Sequence, residues 1–307
     1  MLHDELKQSA KSLTSFLETH LTKNGFSSRT FYGEIFTAVA SQYCDSDRQI
    51  IQDALSGHQK KLLESEDARN HQEFHIYAYA LLNKAIRTSL PIPNIHFSHT
   101  IRAKPTNWIL LRGLAKIRFG SAFDKWFWKK ILPIVIRVND RDGFILDRGI
   151  GALMRGEEKE SHLSDQYQAF MLVVLTDLYE LTHNPFYLTT FRKGLNALLA
   201  HQKETAEVIR FGRGRGQIFG YGSLVYALSW SLTQDGPNSN ETALQKTCAY
   251  LFSFQNEDGS FPLVLTKGDD PSLWESYNNL FDYLPFLAVM LWRSSVVLSK
   301  NGERFLA

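Results

Sequence analysis

The chain has 307 residues, 44% of them hydrophobic and 21% charged, enough apolar material for a substantial core and too little net polarity for disorder. Its 34 lysines and arginines nearly balance 32 aspartates and glutamates, so no whole-chain field favours nucleic acid or an anionic membrane, and any polyanion site has to be local. Two cysteines, Cys44 and Cys248, offer neither a disulfide framework nor a metal-ligand spacing and read as free thiols of a reducing compartment.

The N-terminus, Met1-Leu-His-Asp-Glu-Leu-Lys7, lacks the basic and apolar regions of a secretory signal, and the expectation is a cytoplasmic protein. The longest apolar run, Leu284 to Trp292, contains Pro285 and is far too short to span a bilayer. Helical periodicity recurs from end to end, and period-two strands are absent. It predicts helices over 3–23, 30–42, 46–64, 71–87, 106–119, 122–137, 164–182, 184–202, 217–233, 240–255 and 275–298. Phe170, Val173, Val174, Asp177 and Leu178 set one face of a helix against its neighbours, whereas Lys60, Lys61, Glu64 and Glu66 suit an outer, solvated face.

Three of these helices end in related turns: Lys23-Asn24-Gly25-Phe26, Arg141-Asp142-Gly143-Phe144 and Glu257-Asp258-Gly259-Ser260-Phe261. Glycine supplies a left-handed cap after each helix, and the aromatic can fold back under the helix end. The glycines are 118 and 116 residues apart, twice a period of about 58 residues that fits a helix-loop-helix-loop unit. Intermediate copies would fall near 84 and 201, where Leu90-Pro91-Ile92-Pro93 and Phe211-Gly212 also break helices. The predicted fold is therefore all-α, an α/α toroid of about five to six helical hairpins covering residues 1–307 as one domain, with an open helical solenoid as the alternative. The long loops 88–105, 140–163, 203–216 and 256–274 are rich in Gly, Arg and Asp, and loops of that length usually carry function.

The segment Tyr250-Leu-Phe-Ser-Phe-Gln255-Asn-Glu-Asp258-Gly259-Ser260-Phe261 resembles the Q-x-x-D-G-S-W element of terpenoid-cyclase and prenyltransferase toroids, with Phe261 in place of tryptophan. The same helix-end turn is similar to those of six-hairpin glycosidases and toroidal polysaccharide lyases. A motif shared by chemically unrelated families implies the fold more than the activity. The cyclase chemistry itself is missing. There is no D-x-D-D acid, and Asp269-Asp270-Pro271-Ser272-Leu273 ends in leucine where a D-D-x-x-D motif ends in aspartate. No Asp, Cys and His set for zinc is present, so neither a metal nor another cofactor is expected.

In such toroids the inner helices turn their N-terminal ends into a central funnel, so the resemblance implies that residues at those ends converge. The candidates are Tyr32, Glu73, Trp108, Asp165, Tyr167, Gln217, Tyr221, Glu275 and Tyr277. Aromatic rings with interspersed carboxylates and amides suit a sugar, which offers an apolar C–H face for stacking and hydroxyls for hydrogen bonds. Asp165, Glu73 and Glu275 also fall where a carboxylate stabilises a helix N-terminus, and the tyrosines also suit a core.

The segment Phe211-Gly212-Arg213-Gly214-Arg215-Gly216-Gln217 is the most unusual in the chain. Glycines interleaved with Arg213 and Arg215 before a helix make a loop that can meet an anion, and it is similar to the R-G-R loop of toroidal polysaccharide lyases, whose arginines meet uronate carboxylates. It is not a P-loop, since no Lys-Ser/Thr follows. Asp147 and Arg148 read as rim contacts, and His162 as a proton-transfer partner for Asp165 or as a structural histidine. Glu275, Asn278, Asn279 and Asp282 share one face of the last helix, a polar stripe that is costly to bury unless it faces a wet cavity.

Together these point to a carbohydrate-active enzyme on an anionic, uronate-containing oligosaccharide or polysaccharide. As a hydrolase it would pair Asp165 with Glu275 or Asp282. As a lyase or epimerase it would use Tyr167 or Tyr277 as base or acid, with Arg213 and Arg215 neutralising the uronate. A non-catalytic glycan- or protein-binding scaffold and a terpenoid-type enzyme are the alternatives; neither nucleic acid nor a membrane span is expected.

Overall fold

The computed structural model describes residues 2–86, 104–157, 162–235, 239–265 and 280–299. In chain order these form α1 (Leu2–His20), β1 (Leu21–Thr22), β2 (Gly25–Phe26), α2 (Gly33–Tyr43), α3 (Arg48–Glu64), α4 (Glu66–Asn70), α5 (Gln72–Ile86), α6 (Thr106–Phe119), α7 (Ala122–Asn139), β3 (Asp140–Arg141), β4 (Phe144–Ile145), α8 (Ile150–Met154), α9 (Asp165–Thr182), α10 (Pro185–Leu199), α11 (Ile218–Asp235), α12 (Ser239–Phe252) and α13 (Leu280–Leu298). Among the described residues every predicted helix is present within a few residues of its expected ends; the expected start of the last one, 275–279, lies outside them. The short α4 and α8 and the two-residue ladders β1–β2 and β3–β4 are additions, too brief to leave a periodic trace in the sequence.

Helix starts follow their capping residues. Asp47, Ser65, Ser164 and Asn184 each accept a backbone N–H of the first turn, and Ser121 forms a reciprocal capping box with Asp124 before α7.

The three glycine turns share the conformation of their glycine, and the first two lie in the ladders β1–β2 and β3–β4. Gly25, Gly143 and Gly259 have φ of 87°, 102° and 89°, the left-handed region open to glycine. Each is also pressed against a neighbour: a Cβ would lie 2.8 Å from Glu34 Oε1 at Gly25 and 2.8 Å from the Lys193 carbonyl at Gly143, and would overlap the Ser12 carbonyl at Gly259. A polar side chain grips the backbone of each turn. Glu34 Oε1 accepts from Phe26 N at 3.1 Å. Gln168 accepts from Ile145 N at 2.9 Å and donates to the Gly143 carbonyl at 3.0 Å. Gln255 donates to the carbonyls of Gly259 at 3.0 Å and Ser9 at 3.2 Å. Near 201, where an intermediate copy is expected, α10 ends at Leu199 and a turn follows; position 84 lies within α5, and residues 90–93 are outside the described set.

The chain divides into two compact units: residues 1–97, 251–265 and 276–307, and residues 98–250 and 266–275. In the first, α13 packs on α1 and α2, and α2 on α3 and α5. In the second, α9 packs on α6, α10 and α11, and α6 on α7. The central helices are buried on nearly all sides: Phe170 to Leu175 of α9 and Leu224 to Leu228 of α11 are almost fully enclosed. So is α13 from Leu284 to Leu291. As a whole α13 is, among the described residues, the one helix long and apolar enough to cross a membrane, although the run read from the sequence is too short. Its apolar window is 83% buried inside the protein, which marks it as a core helix. Both cysteines are free thiols.

Candidate active site

In the second unit the loop before α9, the glycine-arginine loop before α11 and the start of α6 meet around Asp147. The segment carrying it is pinned by Thr106, whose hydroxyl donates to the carbonyls of Leu146 and Arg148 at 2.8 Å each, and by Asp147 N–H donating to the His162 carbonyl at 2.8 Å. The Asp147 carboxylate accepts from Asn107 N at 3.0 Å, from Asn107 Nδ2 at 3.4 Å and from Arg213 Nη2 at 3.1 Å. Burial nevertheless pushes its carboxyl above the usual carboxylate range, with the Asn107 amide and the Arg213 charge only partly opposing the shift. A buried carboxyl that keeps its proton to higher pH is suited to donate it to a leaving oxygen.

The Arg213 guanidinium lies 4.4 Å above the centre of the Tyr167 ring. Its backbone carbonyl accepts from the Ser164 hydroxyl at 2.6 Å, which ties the loop to the α9 cap. Gly212 and Gly214 both have positive φ and sit flat on their neighbours, where a Cβ would overlap the Leu163 carbonyl and the Gln166 amide respectively. The glycines are thus required by shape, and they hold Arg213 against Asp147. The Gln166 side-chain amide and Asn107 Oδ1 are buried without a hydrogen-bond partner among the described residues, a cost that a polar ligand or water would relieve. Trp108, half-buried, carries the Lys104 ammonium 3.8 Å above its ring centre.

Other residues singled out in the sequence have different work. Asp165, expected as a catalytic carboxylate, is a clamp: Oδ2 accepts from Arg210 N and Phe211 N at 2.8 Å each, and Oδ1 pairs with His201 Nδ1 at 2.8 Å. Asp282, in the first unit, does the same for the chain before α2, accepting from Phe31 N at 2.9 Å and Tyr32 N at 2.8 Å. Backbone amides rather than a wet cavity meet its desolvation cost. Tyr221 is fully buried, with its hydroxyl accepting from Val208 N and its ring 5.3 Å from Tyr250; burial drives its hydroxyl pKa far up, so it is a core residue and not a substrate contact. Arg148 points into the protein, donating to Asn139 Oδ1 and the Val138 carbonyl, instead of forming a rim.

Tyr32 stacks on Phe74 with ring centres 4.8 Å apart, and Glu73 is buried beside it on α5, both in the first unit. Gln217 is buried, with its backbone N–H on the Gly214 carbonyl, and Arg215 is exposed. His162 is half-buried and touches the site through its carbonyl. Glu275, Tyr277 and Asn278 lie outside the described residues. Asp147 and Asn107 are the residues whose importance the sequence understates, because each owes its role to partners at least 40 positions away. Among the described residues no group of three or more His, Cys, Asp or Glu side chains is placed to hold a metal ion.

No protein-family model matches the sequence, and neither does any curated protein. Solved structures do match. Glycosyl hydrolase family 88 from Bacteroides vulgatus superposes with a TM-score of 0.63 over 95% of this chain and 99% of its own, at 9% identity. The GH76A α-1,6-mannanase from Salegentibacter sp. gives 0.63 over 96% and 100% at 13% identity, and a polysaccharide lyase 0.60 over 96% and 98% at 11% identity. The chain has the α/α-toroid fold. At these identities the likeness speaks for the fold, and the chemistry of this toroid has to be argued from its own side chains.

Proposed function

We propose that this toroid is a carbohydrate-active enzyme that cleaves a uronate-containing glycan, with Asp147 as the acid and Arg213 as the uronate contact. The observation that carries the reading is the Asp147–Arg213 pair: a carboxyl raised by burial beside a guanidinium that is 27% exposed. The part-exposed guanidinium beside Asp147 suits the carboxylate of an incoming sugar acid. Asp147 would pass its proton to the departing glycosidic oxygen, a step that hydrolysis and elimination share. Tyr167, buried beneath Arg213, supports the guanidinium from below through its ring face. Two free thiols support a reducing, cytoplasmic setting.

The test is turnover of a panel of uronate-containing oligosaccharides, with α-1,6-mannotriose as a neutral arm and isoprenoid diphosphates with Mg²⁺ as a control. New reducing ends indicate hydrolysis and an unsaturated uronate product indicates elimination; either is expected from the uronates and is lost in Asp147→Asn. Turnover of mannotriose alone would overturn the uronate assignment. Silence towards all glycans, or full activity in Asp147→Asn, would overturn the enzyme assignment.

A further inference from the structure

Helix α7 is apolar on two faces. Trp128, Leu132, Val135 and Ile136 turn inward, with Leu132 seated against Gly113 of α6. The opposite face carries Phe123 (69% exposed), Trp126 (59%), Ile134 (53%) and, less exposed, Phe127 and Val138; Phe119 at the end of α6 adjoins them in sequence. Their spacings of three, four and seven residues align them along one outward stripe. Phe123, Trp126 and Phe127 form a cluster, with ring centres 6.0 Å and 6.1 Å from Phe123. Soluble surfaces seldom leave a contiguous patch of this kind unpartnered.

Charge identifies the partner. Between 118 and 138 the exposed charges are Arg118, Lys125, Lys129, Lys130 and Arg137, all cations. The one carboxylate in the stretch, Asp124, is half-buried and engaged by the Ser121 cap and by Lys116. Lys130 and Arg137 fall on the aromatic stripe itself, and Lys129 lies nearer its edge. A second copy of the chain docked through this face would set cation against cation about a twofold axis. Aromatic and aliphatic side chains projecting among lysines are instead what an interfacial helix presents to a bilayer: the rings enter the headgroup boundary and the ammonium groups meet anionic lipid. We infer that the outward face of α7 is a docking surface for an anionic lipid bilayer, with the helix lying in the membrane plane.

The chain's near-neutral total charge makes this a local device, independent of the glycan site. The test is co-sedimentation of the whole protein with vesicles of phosphatidylcholine alone or mixed with phosphatidylglycerol, with tryptophan emission read in parallel. Binding is expected to the mixed vesicles only, to fall as salt rises, and to shift emission to the blue. The double variant Lys129→Glu, Lys130→Glu, at exposed positions where folding is little affected, should bind more than about twenty-fivefold more weakly, since each basic residue near such a surface is worth about a factor of five. Phe123→Ser with Trp126→Ser should lose binding and the blue shift while keeping the helical circular dichroism of the parent. Absence of binding to anionic vesicles would overturn the inference. So would a concentration-dependent dimer that the Phe123→Ser, Trp126→Ser variant dissociates, which would assign the face to a second copy.

Discussion

Asp147 and Arg213 stand 66 residues apart in the chain and meet through a 3.1 Å contact between a buried carboxylate and a largely covered guanidinium. The pair sets the pH behaviour expected of the site. Asp147 is raised above the usual carboxylate range by burial, so its acid form persists to higher pH than that of an exposed aspartate and is lost as pH rises through the raised value. Glycan cleavage should therefore show an alkaline limb above the ordinary carboxylate range. Arg213 lowers the Asp147 pKa, so Arg213→Met should move that limb further up while raising KM for a uronate substrate. A limb that stays fixed in Arg213→Met would separate Asp147 from the pH profile. Asp147→Asn should cut kcat by at least about a hundredfold, the usual scale for loss of a general acid.

Asp165 fixes the backbone at Arg210 and Phe211, the approach to the arginine loop. Asp165→Ala should raise KM more than it lowers kcat, because the residue positions Arg213 without touching the reacting atoms. Steady-state kinetics with a uronate substrate would check this; a loss confined to kcat would restore Asp165 as a catalytic carboxylate.

Asp282 holds two consecutive backbone amides in a buried setting. Asp282→Ala strands both, and the expected loss is about 3 kcal/mol, given that hydrogen bonds to charged groups are worth about 1.5–3 kcal/mol each and partial water access softens the total. Denaturant unfolding reads the difference.

Gly259 and Gly156 both have positive φ, yet only Gly259 is pressed against a neighbour; a Cβ on Gly156 would meet nothing within 4 Å. Gly156→Ala should cost about 1 kcal/mol, the conformational penalty alone. Gly259→Ala should cost clearly more, since the Ser12 carbonyl has to move. Equal effects in thermal unfolding would mean that the close approach carries no energy.

The helices and the glycine turns were legible because both rest on local chemistry: a 3.6-residue stripe, a capping serine, a glycine where φ must be positive. The site was legible only in part. The arginine loop stood out by composition, and its Arg213 contacts Asp147 of the candidate cluster. Asp147 sits in a stretch whose Asp and Gly are fully explained by turn formation, and its partners Asn107 and Arg213 are distant in sequence. Asp165 and Asp282 look alike in sequence to catalytic carboxylates at helix starts; only the fold reveals the backbone amides that they face. Gln168 and Glu34, which grip two of the three turns, left no signal because nothing in the sequence says which loop a helix side chain will reach.

Each glycine turn asks little of the sequence: one residue without a side chain, and one polar group nearby able to bond to backbone. The second demand is met by glutamate at the first turn and by glutamine at the other two, through different combinations of donor and acceptor. Requirements so few and so interchangeable leave most positions free to drift. A scaffold specified in this way can recur in chains that share only 9% of their residues.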